Sequence, residues 1–284
     1  MFGIEALRFA ARGVLAHTPL QYFPVRVRKG LAKGAKWTLF PYSAYWRDHP
    51  EMDIEAAISN YGSLRGSVCW DLGAHFGIYT VGMAFAVGPT GHVYGFEPNP
   101  ASFARCEHHV RRNALDWVKI FNFGVSDAEG ALDLLVGRGL VCASTSHFVY
   151  EDERPKPDVP RVRVRLVMLD SLVERGEVLP PHFIKVDVEG HGAKALKGAQ
   201  RTITAHLPII VMSFHSLWER DGTRELLEHL GYKPYGTAGA ELGWDASLYR
   251  TAVLTARPPD EAQTRLKTGE VMDSNSRNPS STAS

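Results

Sequence analysis

"DLGAHFG", residues 71–77, stands between two apolar runs, Val68 to Trp70 before it and Ile78 to Ala86 after it. The first run has the length of a buried strand and the second that of a helix. An acid and two glycines, Gly73 and Gly77, therefore fall where strand gives way to helix. In open α/β sheets that point holds a nucleotide. A dinucleotide fingerprint wants glycine three times, G-x-G-x-x-G, but the second and third positions here are His75 and Ile78. No G-K-[ST] follows, so the stretch is not a P-loop either. What is left is a tight turn beside an acid, suited to a nucleoside without phosphate.

Outward from this turn the pattern alternates. "SVCW", "HVYGFEP" and "VKIFNFGVSD" read as strands, with helices predicted for "FGIYTVGMAFAV" and "NPASFARCEHHVRRNAL" between them. Strands separated by single helices form right-handed βαβ units and a parallel sheet. The long apolar stretch Val68 to Val87 is thus no membrane span, since Asp71 and the glycine punctuation divide it. Upstream, Ile54, Ala57, Ile58 and Tyr61 share one helical stripe, ended by Gly62 or Gly66. Downstream come a weaker strand, "ALDLLVG", a charged loop at 137–160, and "RVRVRLVML", a strand with one wet basic face. "HFIKVDVEG" and "LPIIVMSFH" read as strands around one helix, "HGAKALKGAQRTITAH", with Leu196, Ala199 and Ile203 inward. A helix closed by Gly231 and a last strand, "SLYRTAVLTAR", complete the pattern.

Composition bounds the function. With 284 residues, 44% apolar, 22% charged and a net charge of +1, the chain is an ordinary globular protein with one catalytic-size domain. Near-neutrality speaks against nucleic acid as a partner. Cys69, Cys106 and Cys142 show no C-x-x-C spacing, so neither a disulfide framework nor a zinc site is encoded and a cytoplasmic location fits. Residues 1–36 carry seven basic side chains against one acid, Glu5. Their opening, with Ile4, Leu7, Ala11 and Leu15 at helical spacing, suits a helix packed on its own domain or weak contact with an anionic membrane surface. The expected organisation is a basic extension over 1–49, one domain over 50–257 and a polar, disordered tail over 258–284.

S-adenosylmethionine is a nucleoside of the required kind, with no phosphate and a cationic methionine end. Asp71 would face that end directly or through water, while Gly73, Ala74 and Gly77 keep the turn tight and open. Glu97 ends the next strand, 26 positions after Asp71, near the spacing at which a carboxylate takes both ribose hydroxyls. Asn99 follows it in the same turn. Ser126 or Asp127, ending the third strand, could meet the adenine amine, and a plain turn acid fits equally. Asp187 and Glu189, two apart, share a face at the end of the fourth strand, where they could position the donor or take a proton. As an alternative they are a helix cap and a first-turn acid.

Several of these stretches occur together in one family. "DLGAHFGIYT" at 71–80, "GFEPNP" at 95–100, "NFGVSDAEG" at 122–130, "LDSL" at 169–172 and "IKVDVEGHGAKALKGA" at 184–199 resemble the ordered motifs of the FkbM-type S-adenosylmethionine-dependent methyltransferases. The resemblance implies a class I methyltransferase fold, a Rossmann-like α/β three-layer sandwich. Its seven-stranded sheet would be mostly parallel, with the last strand antiparallel. It implies O-methylation of a sugar, glycan or natural-product hydroxyl. The donor would lie on Asp71, Gly73, Ala74, Gly77, Glu97, Asn99, Ser126, Asp127 and Asp187, with Glu189 and His215 as catalytic candidates. This chain departs from the family pattern in having Gly192 where an acid is usual, and Ser213 where a Glu precedes the histidine by two. Those departures leave room for a non-catalytic nucleoside-binding module; a nicotinamide oxidoreductase is disfavoured by His75. Asp187, Glu189 and His215 could also surround a divalent cation, which the spacing permits but does not require, and no metal is assigned.

Overall fold

The computed structural model describes residues 18–39, 45–47, 52–60, 63–136, 147–148, 160–245 and 251–257. The expectations for the opening helix, Tyr61, Cys142, most of the 137–160 loop and the tail from 258 lie outside these residues.

In chain order the elements begin with a small antiparallel pair, β1 (Pro24–Arg26) and β2 (Lys36–Thr38), then α1 (Met52–Asn60). The nucleotide-type unit follows: β3 (Val68–Leu72), α2 (Ile78–Val87), β4 (His92–Phe96), α3 (Pro100–Arg112) and β5 (Val118–Phe121). Then come β6 (Gly124–Val125), β7 (Gly130–Leu135), β8 (His147–Phe148), β9 (Arg161–Val167) and α4 (Leu169–Glu174). The second half holds β10 (Phe183–Val186), α5 (Gly192–Lys197), α6 (Gln200–His206), β11 (Ile209–Ser213), α7 (Leu217–Leu227), β12 (Lys233–Tyr235) and β13 (Thr251–Thr255).

Seven strands form one sheet in the order β12-β13-β11-β10-β3-β4-β5. All neighbours pair in parallel except those of β13, which runs antiparallel to both β11 and β12. The chain steps outward from β3 to β5, returns to the middle, and steps outward the other way from β10. The direction reverses between β3 and β10, and such a switch point is where open α/β sheets form a ligand crevice at their strand ends. Alternation sorts the core into two layers. Cys69, Val93, Phe183 and Val211 face α1, α2 and the Trp37 segment, while Trp70, Phe96, Ile184 and Met212 face Leu172, Leu196, Ile203 and Leu227. The three layers expected from the sequence are present, with the antiparallel strand in place. Among the described residues no helix is long and apolar enough to cross a membrane, and Val68–Val87 divides into β3 and α2.

Two local expectations change. The stretch "VKIFNFGVSD" is two strands, because the Asn122 amide turns back to the carbonyls of Glu97 and Pro98 at 2.9 and 3.1 Å. β6 thereby leaves the main sheet and joins a second one, ordered β6-β9-β7-β8. "HGAKALKGAQRTITAH" is two helices: a Cβ at Gly198 would meet the Ser126 carbonyl oxygen at 1.9 Å, and Asp170 caps the second helix through the Arg201 and Thr202 N–H groups, both 2.9 Å. Leu196, Ala199 and Ile203 nevertheless point inward as expected. In the described part of the 1–49 extension, Val27, Ala32, Ala35 and Trp37 are buried against the domain. Trp37 stacks on His109 of α3 at 3.5 Å between ring centroids, and Thr38 Oγ1 lies 2.7 Å from His109 Nε2.

Candidate active site

Parallel register sets the centre of the site. β3 and β10 pair with Asp71 opposite Lys185, both on the face covered by α2. Lys185 Nζ lies 3.1 Å from Asp71 Oδ1 and donates to the Gly73 carbonyl at 2.8 Å, while Thr80 Oγ1 of α2 donates to Asp71 Oδ2 at 2.5 Å. The ammonium also sits 5.3 Å from the Tyr79 ring centroid. Asp71 is 0% exposed, so it does not reach the crevice. Of the two expected routes to the methionine end, direct contact is closed to Asp71 by its burial against Lys185, and the route through water remains.

The glycines have a similar explanation. Gly73 has φ +81°, and a Cβ there would meet the Asp187 carbonyl oxygen at 1.9 Å. Gly77, at φ +86°, would put its Cβ 2.6 Å from Cys106 Sγ. Both positions need glycine because the left-handed region disfavours other residues and because the chain itself occupies the space. The same absence of side chains lets the end of β3 pack closely on the turn after β10, and α2 on α3.

Glu97 is placed differently. It follows β4, is 7% exposed, and each carboxylate oxygen accepts one backbone N–H: His75 at 2.7 Å to Oε2 and Asn99 at 2.8 Å to Oε1. The first donor comes from the 71–77 turn, itself tied to the end of β4 by Gly73 and Ala74 N–H bonds to the Phe96 carbonyl, 3.0 and 3.1 Å. Asn99 has a second task, since its Oδ1 accepts from Ala101 N at 3.0 Å and caps α3. Burial pushes the Glu97 carboxyl up to about 7, against the pull of the Asn99 and His75 N–H groups and of Lys185. The same burial, with Lys185 and Arg105 nearby, takes the His75 imidazole down to about 3. A carboxylate has about four lone-pair positions. Two backbone bonds leave acceptors over for a vicinal diol, so the residues present fit the ribose of a phosphate-free nucleoside.

Ser126 and Asp127 end β6, in the second sheet. Ser126 Oγ lies 3.0 Å from His191 Nε2 and donates to Asp127 Oδ1 at 3.3 Å, and Asp127 pairs with Lys197 at 3.6 Å. Burial lowers His191 to about 4, so it is neutral at pH 7.

Across the switch point a third cluster forms. His215, just past β11, has Nε2 3.5 Å from Asp187 Oδ1 and 3.5 Å from Glu189 Oε2, both in the turn after β10. Their polar atoms all lie within 4.8 Å of one another, a spacing a cation could also bridge. Glu189 has φ +50°, a conformation uncommon outside glycine and a pointer to function when it lies in a crevice. On the other side of the ring, Nδ1 is 3.6 Å from Glu219 Oε2. The Glu219 contact raises the imidazole above its ordinary range, partial burial opposes this, and Glu189 and Asp187 add to the rise.

Lys185 and Glu219 were not anticipated from the sequence. A lysine inside "FIKV" carried a signal, since an inward position on a buried strand demands a partner charge. Glu219 was marked only by its place in Ser216-x-x-Glu219, a helix-start pattern.

This sheet order, with an antiparallel strand inserted next to the edge and a diol-ready carboxylate at the end of the strand after the glycine turn, defines a class I methyltransferase domain. The model of the methyltransferase FkbM domain matches residues 71–234, and the chain belongs to that family of S-adenosylmethionine-dependent methyltransferases. It is 30% identical over 161 residues to the hexuronic acid methyltransferase AglP of Haloferax volcanii, covering 57% of this chain and 62% of that protein. The chain thus spans less than two thirds of that relative's length. Among solved structures it resembles the methyltransferase FkbM of Methylobacillus flagellatus KT, with 19% identity, a TM-score of 0.44 and coverage of 66% of this chain and 43% of that one. It also resembles the fibrillarin of Aeropyrum pernix, solved with bound S-adenosyl-L-methionine, at 13% identity, TM-score 0.39 and coverage of 70% and 71%. The fold class follows from the strand order of this chain itself.

Proposed function

We propose that this chain methylates a hydroxyl group of a sugar, glycan or related polyol with S-adenosylmethionine as donor. The observation that carries the reading is Glu97, a buried carboxylate whose two oxygens are aimed by backbone N–H groups and still have lone pairs for a ribose. The 30% identity to a relative named for hexuronic acid supports a sugar as the acceptor class.

The donor supplies a methyl group on a sulfonium whose departure leaves a neutral thioether. The protein therefore has to align two atoms and accept one proton. Glu97 holds the ribose, and Asn99 and the His75 N–H fix Glu97. The Asp71–Lys185 pair locks β3 to β10, so the two halves of the crevice keep their separation. Ser126 and Asp127 border the adenine end. Asp187 and Glu189 stand at the other end beside His215, where the acceptor hydroxyl is oriented and its proton taken. Incubation with methyl-labelled donor and a panel of uronic acids, neutral sugars and polyols tests the reading. Labelled ether on at least one acceptor is expected; donor binding without transfer to any of them would favour a binding module.

A further inference from the structure

Gly192, the first residue of α5, has no side chain, and the space is filled from another helix. A Cβ at 192 would begin 2.7 Å from Glu219 Oε1 and 2.5 Å from the Met212 methyl. Glu219, in the first turn of α7, is 0% exposed and has both oxygens fixed by backbone. Oε1 accepts the Gly192 N–H at 2.7 Å, and Oε2 accepts the His215 N–H at 2.8 Å. Its own N–H is held by Ser216 Oγ at 3.1 Å. One buried carboxylate is thus clamped between the start of α5 and the end of β11, and Oε2 also stands 3.6 Å from the His215 ring nitrogen Nδ1.

A buried carboxylate held by two backbone N–H groups, one of them from His215 itself, and standing at ion-pair distance from Nδ1 of the same residue, orients that ring. Resting on the proposed methyl transfer, we infer that Glu219 is the positioning residue for His215: it holds the hydrogen on Nδ1 and presents Nε2 to the acceptor hydroxyl. Asp187 and Glu189, each 3.5 Å from Nε2, flank the same nitrogen. In the step itself the acceptor oxygen forms its bond to the methyl carbon as the carbon–sulfur bond breaks, the electron pair staying on sulfur. The hydroxyl proton passes to Nε2, and the imidazolium so formed lies among three carboxylates. Glu219 touches neither substrate nor donor.

The first test needs no acceptor. In uniformly 15N-labelled wild-type protein at alkaline pH, where the ring is neutral, long-range 1H–15N correlation is expected to show His215 as the Nδ1–H tautomer. An Nε2–H tautomer would overturn the inference whether or not the protein transfers methyl groups. The second test is Glu219→Gln, which keeps the shape and one acceptor oxygen. S-adenosylhomocysteine affinity should stay within about twofold and acceptor KM within about threefold, while kcat falls about 10- to 100-fold. The His215 15N pattern should move away from the wild-type tautomer. Unchanged kcat with an unchanged 15N pattern would refute the role. Should Glu219→Gln not fold, Glu219→Asp is read in the same way, and the wild-type spectrum decides independently. Failure of the wild-type protein to methylate any acceptor would count against the proposed function and would leave the tautomer measurement to judge this inference alone.

Discussion

Removing the Glu97 carboxylate should be felt most by the ribose of the donor. Glu97→Ala deletes the acceptor of the His75 and Asn99 N–H groups and, in the bound state, the acceptor of two hydroxyls. A hydrogen bond to a charged group contributes about 1.5–3 kcal/mol, so two would give about 3–6 kcal/mol. Water entering the vacated space recovers part of that, which leaves about 3 kcal/mol, on the order of a hundredfold in Kd. Calorimetric titration with S-adenosylhomocysteine measures it, and the 2′,3′-dideoxy counterpart supplies the control. The full ligand should lose about a hundredfold between wild type and variant, whereas the dideoxy ligand, having no hydroxyls to offer, should differ by less than about threefold. An equal loss for both ligands would mean that the substitution acts by unsettling the 71–77 turn, and no loss for either would remove Glu97 from the donor site.

Further outcomes follow from the same geometry. With the Glu97 carboxyl raised to about 7, the charged form that accepts the diol dominates only above that pH. Donor-product affinity should be flat above about pH 7 and weaken by up to tenfold per unit below it, and Glu97→Gln should abolish this slope; a wild-type Kd independent of pH would contradict the assignment. Lys185→Met leaves Asp71 as an unmatched buried charge and should lower stability by about 3–5 kcal/mol in urea denaturation, with much of the loss recovered in the double variant Asp71→Leu/Lys185→Met. Gly73→Ala should yield protein destabilised by well over about 2 kcal/mol, from a forced clash with the Asp187 carbonyl added to an unfavourable φ, and a melting curve like that of wild type would show that the β3–β10 contact yields easily. Chelation should leave turnover unchanged if His215 alone takes the proton; a loss reversed by one divalent cation would place an ion among Asp187, Glu189 and His215.

The alternation of apolar strands and amphipathic helices around Asp71 was enough to read a parallel sheet of βαβ units, each with a single favoured hand, while the seven strands and the antiparallel last one were implied by the family resemblance. It also brought out Glu97, whose place after β4 needs only the strand boundary. What stayed hidden depended on contacts far apart in the chain. Asp71 reads as an acid at a strand end, and its partner Lys185 shows only when the register of β3 and β10 sets the two opposite each other. That Gly73 and Gly77 are also required by the Asp187 carbonyl and by Cys106 shows only once those segments are packed beside them. Glu219 is marked in the sequence only as the fourth residue of a helix start, and only the space beside Gly192, on a different helix, explains its burial. Asn122 and Gly198 split a predicted strand and a predicted helix for the same reason: each answers to a carbonyl contributed by another segment.

A crystal structure of the full chain with S-adenosylhomocysteine tests the central claim most directly. The expected result is an adenosine lying across the ends of β3 and β4 with both ribose hydroxyls within hydrogen-bond distance of Glu97 and the sulfur turned toward Asp187, Glu189 and His215. A ligand bound elsewhere, or one whose ribose leaves the Glu97 carboxylate untouched, would contradict it.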